Sequence, residues 1–546
     1  MNPLSSLFTQ ISDGDTVCLE AGSIYHVRQD DAFTLTGYYC SNTSTPSENL
    51  LGARHAAIYL KDRKNITIDG RGAAIIIHGK MTPFVFDACE HITVKNLTVD
   101  YAAPTMTEFR VLSVDRRVCV VRFNSGSLFR VEGNILYFCG ENDLDGIPYW
   151  EYESNGPLRF TTLFDPDTET TVGYDNRHFV FDAIEQLDSR TLRLTFRGSD
   201  HGLVVGRVIQ SRNIVRDQTG AMAQRCKDLT YENLRIKFMH GLGMVSQFCE
   251  NVIFKNCDFT PSEGRTMAST ADFFQFSGCR GNIVVEGCRA SGAQDDFMNV
   301  HGTHLRVVEA YPDTRTIVVR FMHNQSWGFQ AFEVGDEIEF IRWDTLQPYS
   351  RGVVQSYERL NDTEIRLTID RDLPDAIVTN HDVVENATWT PNLYVRNCDA
   401  FMIACRGILC TTRGEVVIEN NRFYHLRGPA LVVEDDCNFW FESGYTKHIT
   451  FRNNSVIGCN YGNNYPGGPV ICYSPKVMNA ESEGFVHGKL TLENNRFEQA
   501  YRGSHMIHLE YLSEAEIVGN QSDAPMQTET IHCGIITELD NEIRQL

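Results

Sequence analysis

The 546-residue sequence predicts an all-β protein, a right-handed parallel β-helix into which two small antiparallel β-barrel domains are inserted. A short motif of alternating apolar residues, usually closed by Asn or Gly, recurs ten times. Neighbouring copies begin 23 to 41 residues apart, except for two jumps of 137 and 110 residues. The regular spacing predicts the solenoid, and the two jumps predict the insertions.

The repeated motif predicts one strand of each coil, because 23 to 41 residues is about the length of one turn of a β-helix. Equivalent strands of successive coils then stack at about 4.8 Å. The closing Asn is expected at a turn, since Asn tolerates left-handed backbone and can form a side-chain ladder. The copies are NITIDG from Asn65, HITVKN from His91, DLTYEN from Asp228, NVIFKN from Asn251, NIVVEG from Asn282, NLYVRN from Asn392, EVVIEN from Glu415, HITFRN from His448, KLTLEN from Lys489 and EAEIVG from Glu514.

The two interruptions carry strand-like runs that lack the closing Asn. FRVLSV and TLRLTF belong to the first, TIVVRF and DEIEFIRW to the second, and each set predicts a small antiparallel barrel or sandwich. Insertions in a solenoid project from one face, commonly the binding face. The expected segments are a β-helix part over 1–102, a barrel over 103–215, catalytic coils over 216–302, a second barrel over 303–388 and a final β-helix part over 389–546.

Charge and cysteine usage restrict the partners. The formal net charge of −22 argues against nucleic acid, anionic membranes and polyuronates, and favours a neutral partner. The seventeen cysteines form no CxxC pair, and Cys89, Cys226 and Cys249 each precede a copy's first apolar strand residue by three positions, which is typical of core packing. We expect free thiols, no metal and no cofactor. The N-terminus shows no signal peptide, which predicts a cytoplasmic protein, or a secreted or periplasmic one if a signal has been removed.

The stretch GAQDDFMNVHG places two adjacent carboxylates, Asp295 and Asp296, beside apolar residues of an expected buried strand. Asp272 precedes them by 23 and 24 residues, an offset of one coil, so the three acids can converge on one patch. Crowded carboxylates raise one another's pKa and can supply a proton donor for acid/base work on a glycosidic bond. A charged surface or a calcium site is the alternative.

Four long strings resemble glycoside hydrolase family 110, the α-1,3-galactosidases that remove terminal galactose from blood group B and linear Galα1,3Gal glycans. These strings are TADFFQFSGCRGNIVVEGC, GAQDDFMNVHGTHL, RGILCTTRGEVVIENNRF and EDDCNFWFESG. The resemblance spans nearly the whole chain and implies a β-helix with two barrels, an exo-acting inverting hydrolase and no metal. An α-galactosyl oligosaccharide is the implied substrate, and a homodimer through the inserted domains is a further implication.

The resemblance also implies roles for the three acids. Asp295 matches the general acid, while Asp272 and Asp296 match the acids that activate water on the opposite face of the sugar. Whether Asp295 or Asp296 donates the proton stays open, because coupled carboxylates share their titration. The chain departs from the family pattern after the pair, where Phe297 and Met298 stand in place of a frequent Pro-Ile.

Binding residues are predicted from the chemistry of a galactose ring, which offers an apolar face and several hydroxyls. Trp327 and Trp440 are candidates for an aromatic wall, with a role in the core as the alternative for each. Salt bridges within the solenoid are the alternative role for two of the candidates below, Arg406 and Arg413. The candidates for hydroxyl binding are His301, Arg406, Arg413, Glu434 and Glu442.

Three other functions fit the fold. A polygalacturonase-like hydrolase would share the three acids but should line its cleft with Lys and Arg. A polysaccharide lyase would use a basic catalytic residue and commonly calcium. A non-catalytic glycan-binding β-helix would need no such acids. The preference between branched blood group B and linear Galα1,3Gal depends on loop shape and is left open.

Overall fold

The computed structural model describes residues 3–156, 159–465, 467–498 and 503–544. About 50% of the residues lie in strands and about 3% in helices. Long parallel sheets run along the chain, and the all-β, parallel β-helix fold expected from the motif copies is confirmed. The helical elements among the described residues are an α-helix at Pro3–Phe8 and 3-10 turns at Gln29–Asp31, Asn176–His178 and Pro312–Thr314.

Sheet 1 carries all ten copies of the motif, one per strand and in sequence order. Side chains of these strands alternate between the core and the surface, and apolar residues fill the core positions, so each copy contributes to one continuous core. The strands are Thr16–Cys18, Lys64–Asp69, Glu90–Lys95, Lys227–Glu232, Glu250–Lys255, Arg280–Glu286, Asn392–Arg396, Glu415–Glu419, His448–Arg452, His487–Glu493, Leu512–Val518 and Ile535–Leu539.

Sheet 2 follows sheet 1 in each coil and consists of short parallel strands. The shortness of these strands leaves room for the turn residues that redirect the chain. The strands are Ile24–Arg28, Ala74–His78, Thr98–Tyr101, Arg235–Ile236, Asp258–Phe259, Arg289–Ser291, Asp399–Phe401, Arg422–Tyr424, Ser455–Ile457, Arg496–Glu498, Gln521–Ser522 and Glu542–Ile543.

Sheet 3 completes each coil and carries the polar clusters described below. Its first two strands pair antiparallel, and the later ones pair parallel. The strands are Phe33–Leu35, Arg54–Lys61, Thr82–Asp87, Thr219–Gln224, Leu242–Gln247, Phe274–Ser277, Met298–Thr303, Ile408–Cys410, Leu431–Val433, Ile471–Tyr473, Ile507–Glu510 and Thr528–Ile531, with Glu442–Ser443 paired to Met298–Thr303.

Asparagines occupy the turn between sheets 1 and 2. The closing Asn of several copies takes left-handed backbone, with φ of 58° at Asn420 and 55° at Asn453. The ladder is formed by the next residue along: the Nδ2 of Asn421 donates to the Oδ1 of Asn454 at 3.1 Å, and Asn454 repeats the contact to Asn495 at 3.2 Å. The turn therefore uses two consecutive positions, one for backbone geometry and one for the ladder.

The cysteines are free thiols, as the sequence predicts. Cys89, Cys226 and Cys249 are buried in the solenoid core at equivalent places of successive coils. The backbone N–H of Cys89 lies 3.5 Å from the Sγ of Cys226, a stacking contact within the core. These thiols act as small apolar side chains.

The first insertion forms two antiparallel sheets and not one closed barrel. A seven-stranded sheet and a three-stranded sheet share one apolar core, which includes Phe109 and Phe123 from the larger sheet and Phe138 and Tyr152 from the smaller. Packing of side chains across this core holds the two sheets together, and the hydroxyl of Tyr152 adds a hydrogen bond to the carbonyl of Ser211 at 3.1 Å. The strands are Met106–Asp115, Val118–Phe123, Leu128–Glu132, Ile135–Cys139, Glu151–Glu153, Arg159–Asp165, Thr170–Gly173, Phe181–Gln186, Thr191–Phe196 and Val208–Asn213.

The second insertion is a closed six-stranded barrel with its own apolar core. It leaves the solenoid after Met298–Thr303 of sheet 3 and returns to Asn392–Arg396 of sheet 1. The barrel strands are Leu305–Tyr311, Thr316–Arg320, Glu337–Ile341, Pro348–Arg359, Glu364–Ile369 and Val383–Asn386. The five segment boundaries given above stay a prediction, which these strand positions support.

Both insertions flank sheet 3, since the first enters it before Thr219–Gln224 and the second leaves it after Met298–Thr303. The coils between the two insertions form the floor of a cavity. Within the described ranges, no helix has the length and apolar character that crossing a membrane requires.

Candidate active site

A cavity of about 580 Å³ opens over the coils that carry the three acids. It is polar on its floor and partly aromatic on one wall, and its lining comes from segments far apart in sequence. The lining residues are Asn42, Arg216, Asp272, Asp295, Asp296, Asn299, Arg406, Leu409, Glu434, Asp436, Phe439, Trp440, Glu442, Tyr465 and Lys476.

The register of two neighbouring strands brings the acids together. Phe274 pairs with Met298, so the turn that holds Asp272 lies beside the turn that holds Asp295 and Asp296. The backbone N–H of Asp296 donates to Oδ1 of Asp272 at 3.3 Å. Phe297 and Met298, which follow the pair, are buried in the core, while Asp295 and Asp296 both line the cavity. The one-coil offset therefore places three carboxyls at one spot.

Asp295 is the most exposed of the three acids, with 23% of its side chain accessible. The Nη2 of Arg216 donates to Oδ2 of Asp295 at 2.6 Å. Arg216 lies where the chain re-enters the solenoid after the first insertion, between Val208–Asn213 and Thr219–Gln224. Asp295 is thus an ionised carboxylate paired with a cation that also lines the cavity.

Asp296 is almost fully enclosed, with 1% of its side chain accessible, and is held by Arg406 in the next coil. The Nε and Nη2 of Arg406 donate to the two oxygens of Asp296, each at 2.8 Å, and the backbone N–H of Arg406 adds a contact at 3.2 Å. A guanidinium group that donates to both carboxylate oxygens fixes the carboxylate plane. The orientation of Asp296 is therefore set before any ligand binds.

The pKa values of the three acids are pushed apart. Burial raises the pKa of Asp272 well above its ordinary value, and the charges of Asp295 and Asp296 raise it further. Burial acts on Asp295 too, but the guanidinium groups, led by Arg216, outweigh it and hold the pKa below the ordinary value. Burial also raises the pKa of Asp296, although Arg406 offsets part of that rise. Of the three coupled acids, Asp272 is therefore the one that burial and neighbouring charge most favour in the protonated form.

Glu442 lies on a second side of the cavity and is gripped by two amides. The Nδ2 of Asn42 donates to its Oε1 at 2.6 Å, and the Nδ2 of Asn299 donates to the same oxygen at 3.2 Å. The Nε2 of His301 lies 3.8 Å from this oxygen, behind the cavity wall. Glu442 keeps its second oxygen for other contacts, so it suits hydroxyl binding.

Glu434 forms a third polar group together with a tyrosine and a lysine. The hydroxyl of Tyr465 donates to its Oε1 at 3.2 Å and the Nζ of Lys476 donates at 2.9 Å. The Nη1 of Arg406 donates to the Tyr465 hydroxyl oxygen at 3.2 Å, which links this group to Asp296. The cavity floor is thus a continuous chain of charged hydrogen bonds.

An aromatic wall is formed by Phe439 and Trp440. Trp440 is 44% exposed and its ring lies 4.2 Å from that of His323, centroid to centroid. The carboxylate of Asp436 accepts backbone N–H bonds from Asn438 at 2.7 Å and Phe439 at 2.9 Å, which fixes the turn that presents both rings. A large exposed ring held at a cavity rim is suited to stacking on the apolar face of a sugar.

Three of the candidate binding residues lie away from the cavity. Trp327 is 4% exposed in the barrel core, and its Nε1 donates to the carbonyl of Ser44 at 3.2 Å. Arg413 is buried between Glu339 and Glu385 of the second barrel, in an ion pair that joins the solenoid to the insertion and does not lie within the solenoid. His301 is buried, and its Nδ1 lies 2.6 Å from the carbonyl oxygen of Gly302. Direct substrate contact by these three stays a prediction, and their burial gives it no support.

Other candidates do line the cavity, namely Arg406, Glu434, Trp440 and Glu442 with the three acids. Sequence reasoning missed six polar lining residues: Asn299 lies in the strand that follows the acid pair, and the other five lie outside the regular strands, where no motif indicates them. Asn42 and Glu442, for instance, are hydrogen-bonded across 400 positions of sequence. The missed residues are Asn42, Arg216, Asn299, Asp436, Tyr465 and Lys476.

The calcium alternative is disfavoured by the cations already present. Oxygen atoms of Asp295 and Asp296 and the Sγ of Cys405 lie within 4.8 Å of one another, close enough to suggest an ion. However, Arg216 and Arg406 already occupy oxygens of the two carboxylates. Calcium requires six to eight oxygen ligands and would be repelled by two guanidinium groups. The donor set fits acid/base chemistry better than coordination of calcium.

Known proteins with similar sequences share the greater part of this chain. Residues 316–384 match a family model described as GLAA-B beta-barrel domain II. An alpha-1,3-galactosidase A of Bacteroides fragilis is 34% identical over 463 residues, which cover 84% of this chain and 74% of that protein. An alpha-1,3-galactosidase A of Akkermansia muciniphila is 36% identical over 447 residues, 81% of this chain and 71% of that protein.

A solved structure of similar extent is the Yersinia enterocolitica family 28 exopolygalacturonase. The match covers 98% of this chain and 74% of that protein's chain, with 10% sequence identity and a TM-score of 0.38. At this TM-score the match carries no argument about function.

Proposed function

Since the chain belongs to the α-1,3-galactosidase family, glycoside hydrolase family 110, we propose that it releases terminal galactose from α-1,3-galactosyl glycans. The reaction is exo-acting hydrolysis of an α-glycosidic bond with inversion at the anomeric carbon. It uses side chains of this chain as acid and base and no metal at the reacting centre.

The observation that carries the proposal is the meeting of three carboxyl groups on the cavity floor. Hydrolysis of a glycosidic bond needs one protonated group for the departing oxygen and one carboxylate to activate water. Burial raises the pKa of Asp272, whereas the guanidinium groups hold the pKa of Asp295 below its ordinary value, so the cluster contains one carboxyl that favours the protonated form and one that favours the ionised form.

We assign the proton donor to Asp295 and the activation of water to Asp272 and Asp296. Asp295 is the most exposed of the three and faces the open cavity, where the departing sugar must leave. This role requires the proton to pass from Asp272 to Asp295 when substrate displaces water from the cavity. The alternative, in which Asp272 is itself the donor, is favoured by the pKa directions of the unliganded protein.

The rest of the cavity fits a neutral sugar. Trp440 can stack on the apolar face of galactose, while Glu434 and Glu442 accept hydrogen bonds from its hydroxyls. Six carboxyl groups and three cationic groups line the cavity, so a polyuronate would be repelled. The lining therefore supports galactose over galacturonate.

The deciding experiment is incubation with Galα1,3Gal and with a trigalacturonate, followed by product analysis. Free galactose from the first substrate and no product from the second support the proposal. An unsaturated product absorbing in the ultraviolet would indicate a lyase, and galacturonate release would indicate a polyuronate hydrolase. Either of these results contradicts the proposal.

A further inference from the structure

A second polar cluster lies at the far end of sheet 3, outside the cavity. His505, His508 and Glu529 each offer a ligand atom, and these atoms lie within 4.8 Å of one another. His508 belongs to strand Ile507–Glu510 and pairs in register with Glu529 of strand Thr528–Ile531. The two strands are consecutive coils, so the β-helix itself sets the spacing of these groups.

We propose that His505, His508 and Glu529 bind a divalent transition-metal ion of the zinc type, joining two consecutive coils. Two imidazole nitrogens and one carboxylate oxygen are a donor set that Zn²⁺ accepts, with a fourth position for water. This site is separate from the acid/base centre. Along sheet 3, Ile507–Glu510 lies four strands beyond Met298–Thr303, which is about 19 Å at the usual strand spacing of about 4.8 Å.

The three ligand atoms face one another at a spacing that a metal can bridge. The Nε2 of His505 lies 3.2 Å from Oε2 of Glu529, and the Nδ1 of His508 lies 2.7 Å from the same oxygen. Neighbouring ligand atoms of a tetrahedral zinc site with bonds of about 2.1 Å are about 3.4 Å apart. A small outward movement of Glu529, which is 46% exposed, would open the required space.

His505 offers a buried nitrogen that hydrogen bonding does not satisfy. Its side chain is 10% exposed, and within the described part of the chain its Nε2 makes no hydrogen bond. Its Nδ1 is oriented by the hydroxyl of Ser504 at 3.1 Å, which leaves Nε2 directed at Glu529. The Nε2 therefore faces the Glu529 carboxylate at 3.2 Å without hydrogen-bond geometry, and a metal ion bound by both atoms would satisfy it.

The outer contacts of His508 match those of a metal-bound histidine. Its Nε2 lies 2.7 Å from Oε1 of Glu510, while its Nδ1 faces the proposed ion. A carboxylate that accepts the far N–H of a ligand histidine fixes the tautomer and the ring orientation. Glu510 is therefore a positioning residue, and its neighbour Leu509 is buried in the core, which fixes the strand face.

Gly467 packs against the cluster from a third segment. A Cβ at this position would lie 1.8 Å from Cε1 of His505, and the carbonyl of Gly467 accepts the N–H of His505 at 3.2 Å. Its φ of 84° also favours glycine. The absence of a side chain at Gly467 therefore leaves the space that the His505 ring occupies.

The test is zinc binding to chelator-treated protein, measured by competition with a chromophoric chelator. The wild-type chain should bind one ion at this site. His505→Gln and Glu529→Gln should each weaken that binding at least 100-fold, and Glu510→Gln about 10- to 100-fold. Zinc should also raise the melting temperature of the wild-type chain but not that of Glu529→Gln.

Two control variants separate this site from other metal binders. His448→Gln alters an exposed histidine on sheet 1, and Cys533→Ser removes a partly exposed thiol near the last coils. Both should bind zinc like the wild type. If His505→Gln fails to fold, the exposed Glu529 carries the test alone.

Three outcomes would overturn the proposal: no zinc uptake, uptake unchanged in Glu529→Gln, or uptake lost in Cys533→Ser. The first would mean that the contacts of His508 with Glu510 and Glu529 are hydrogen bonds that serve the fold alone. Galactose release by Glu529→Gln should equal that of the wild type in every case, so the result is independent of the catalytic proposal.

Discussion

Replacing each of the three acids by its amide distinguishes the proposed proton donor from the groups proposed to activate water. Asp295→Asn keeps shape but cannot donate or accept the proton, so kcat on Galα1,3Gal should fall about 10²- to 10⁴-fold. That loss is about 2.7 to 5.4 kcal/mol of transition-state stabilisation, at 1.36 kcal/mol per factor of ten. Because Asp295 is 23% exposed, the variant should stay folded.

The assay compares two substrates for each variant. An aryl α-galactoside, if accepted, has a leaving group that needs little protonation, so it should partly restore the activity of the variant that lacks the donor. With Asp295 as donor, Asp295→Asn is rescued and Asp272→Asn is not. Rescue of Asp272→Asn alone would refute the assignment and identify Asp272, the acid whose pKa is raised, as the donor.

Asp296→Asn is expected to behave differently because it breaks a buried ion pair. Asp296 is 1% exposed and accepts three hydrogen bonds from Arg406. Losing one partner of such a pair typically costs about 3 to 5 kcal/mol of stability. Its melting temperature must therefore be measured before its loss of activity is interpreted.

Four further predictions follow from the same geometry. Asp272→Asn should abolish activity and raise the melting temperature at neutral pH. The pKa of Asp272 is raised in the folded state, so folding at neutral pH favours protonation of a carboxyl that is ionised in the unfolded chain, and this lowers stability. The loss of stability grows as pH rises above the unfolded pKa of about 3.9 and vanishes below it. A difference in melting temperature that persists at pH 3 would contradict this. Trp440→Ala should raise KM with little loss of stability, whereas the buried Trp327→Ala should cost about 3 to 5 kcal/mol of unfolding free energy and leave the KM of the folded fraction unchanged, as kinetics and denaturant titration can check. The first product seen by proton NMR should be β-galactose, and an α-anomer appearing first would indicate a covalent intermediate. Treatment with EDTA should leave the rate of galactose release unchanged, and a loss restored by calcium would move the acids from catalysis to coordination.

The convergence of the three acids was predictable because it depends on local regularity. In a parallel β-helix, residues one coil apart are hydrogen-bonded neighbours, so a sequence offset translates directly into a distance in space. The pairing of Phe274 with Met298 is a 24-residue register, the offset between Asp272 and Asp296. The same regularity placed all ten motif copies on one sheet.

Arg406 and Arg413 show that sequence offsets do not predict contacts between the solenoid and the inserted domains. Arg406 and Arg413 lie seven positions apart, yet Arg406 orients Asp296 in the cavity and Arg413 is enclosed by Glu339 and Glu385. Both glutamates belong to barrel strands, which the sequence could not align against the solenoid. Trp327 and Trp440 divide in the same way, one into the barrel core and one onto the cavity rim.

The sequence by itself determined the parallel β-helix, the presence of two interruptions and the meeting of Asp272 with the Asp295–Asp296 pair. Each of these follows from strand periodicity and from hydrogen bonding between successive coils, which are short-range rules. Only the tertiary structure decided which charges the acids meet. Arg216 reaches Asp295 across 79 positions, and Asn42 reaches Glu442 across 400, through irregular segments whose paths are fixed by packing. The low pKa of Asp295 depends on such a contact, because Arg216 outweighs the effect of burial there, whereas burial and the two neighbouring acids raise the pKa of Asp272.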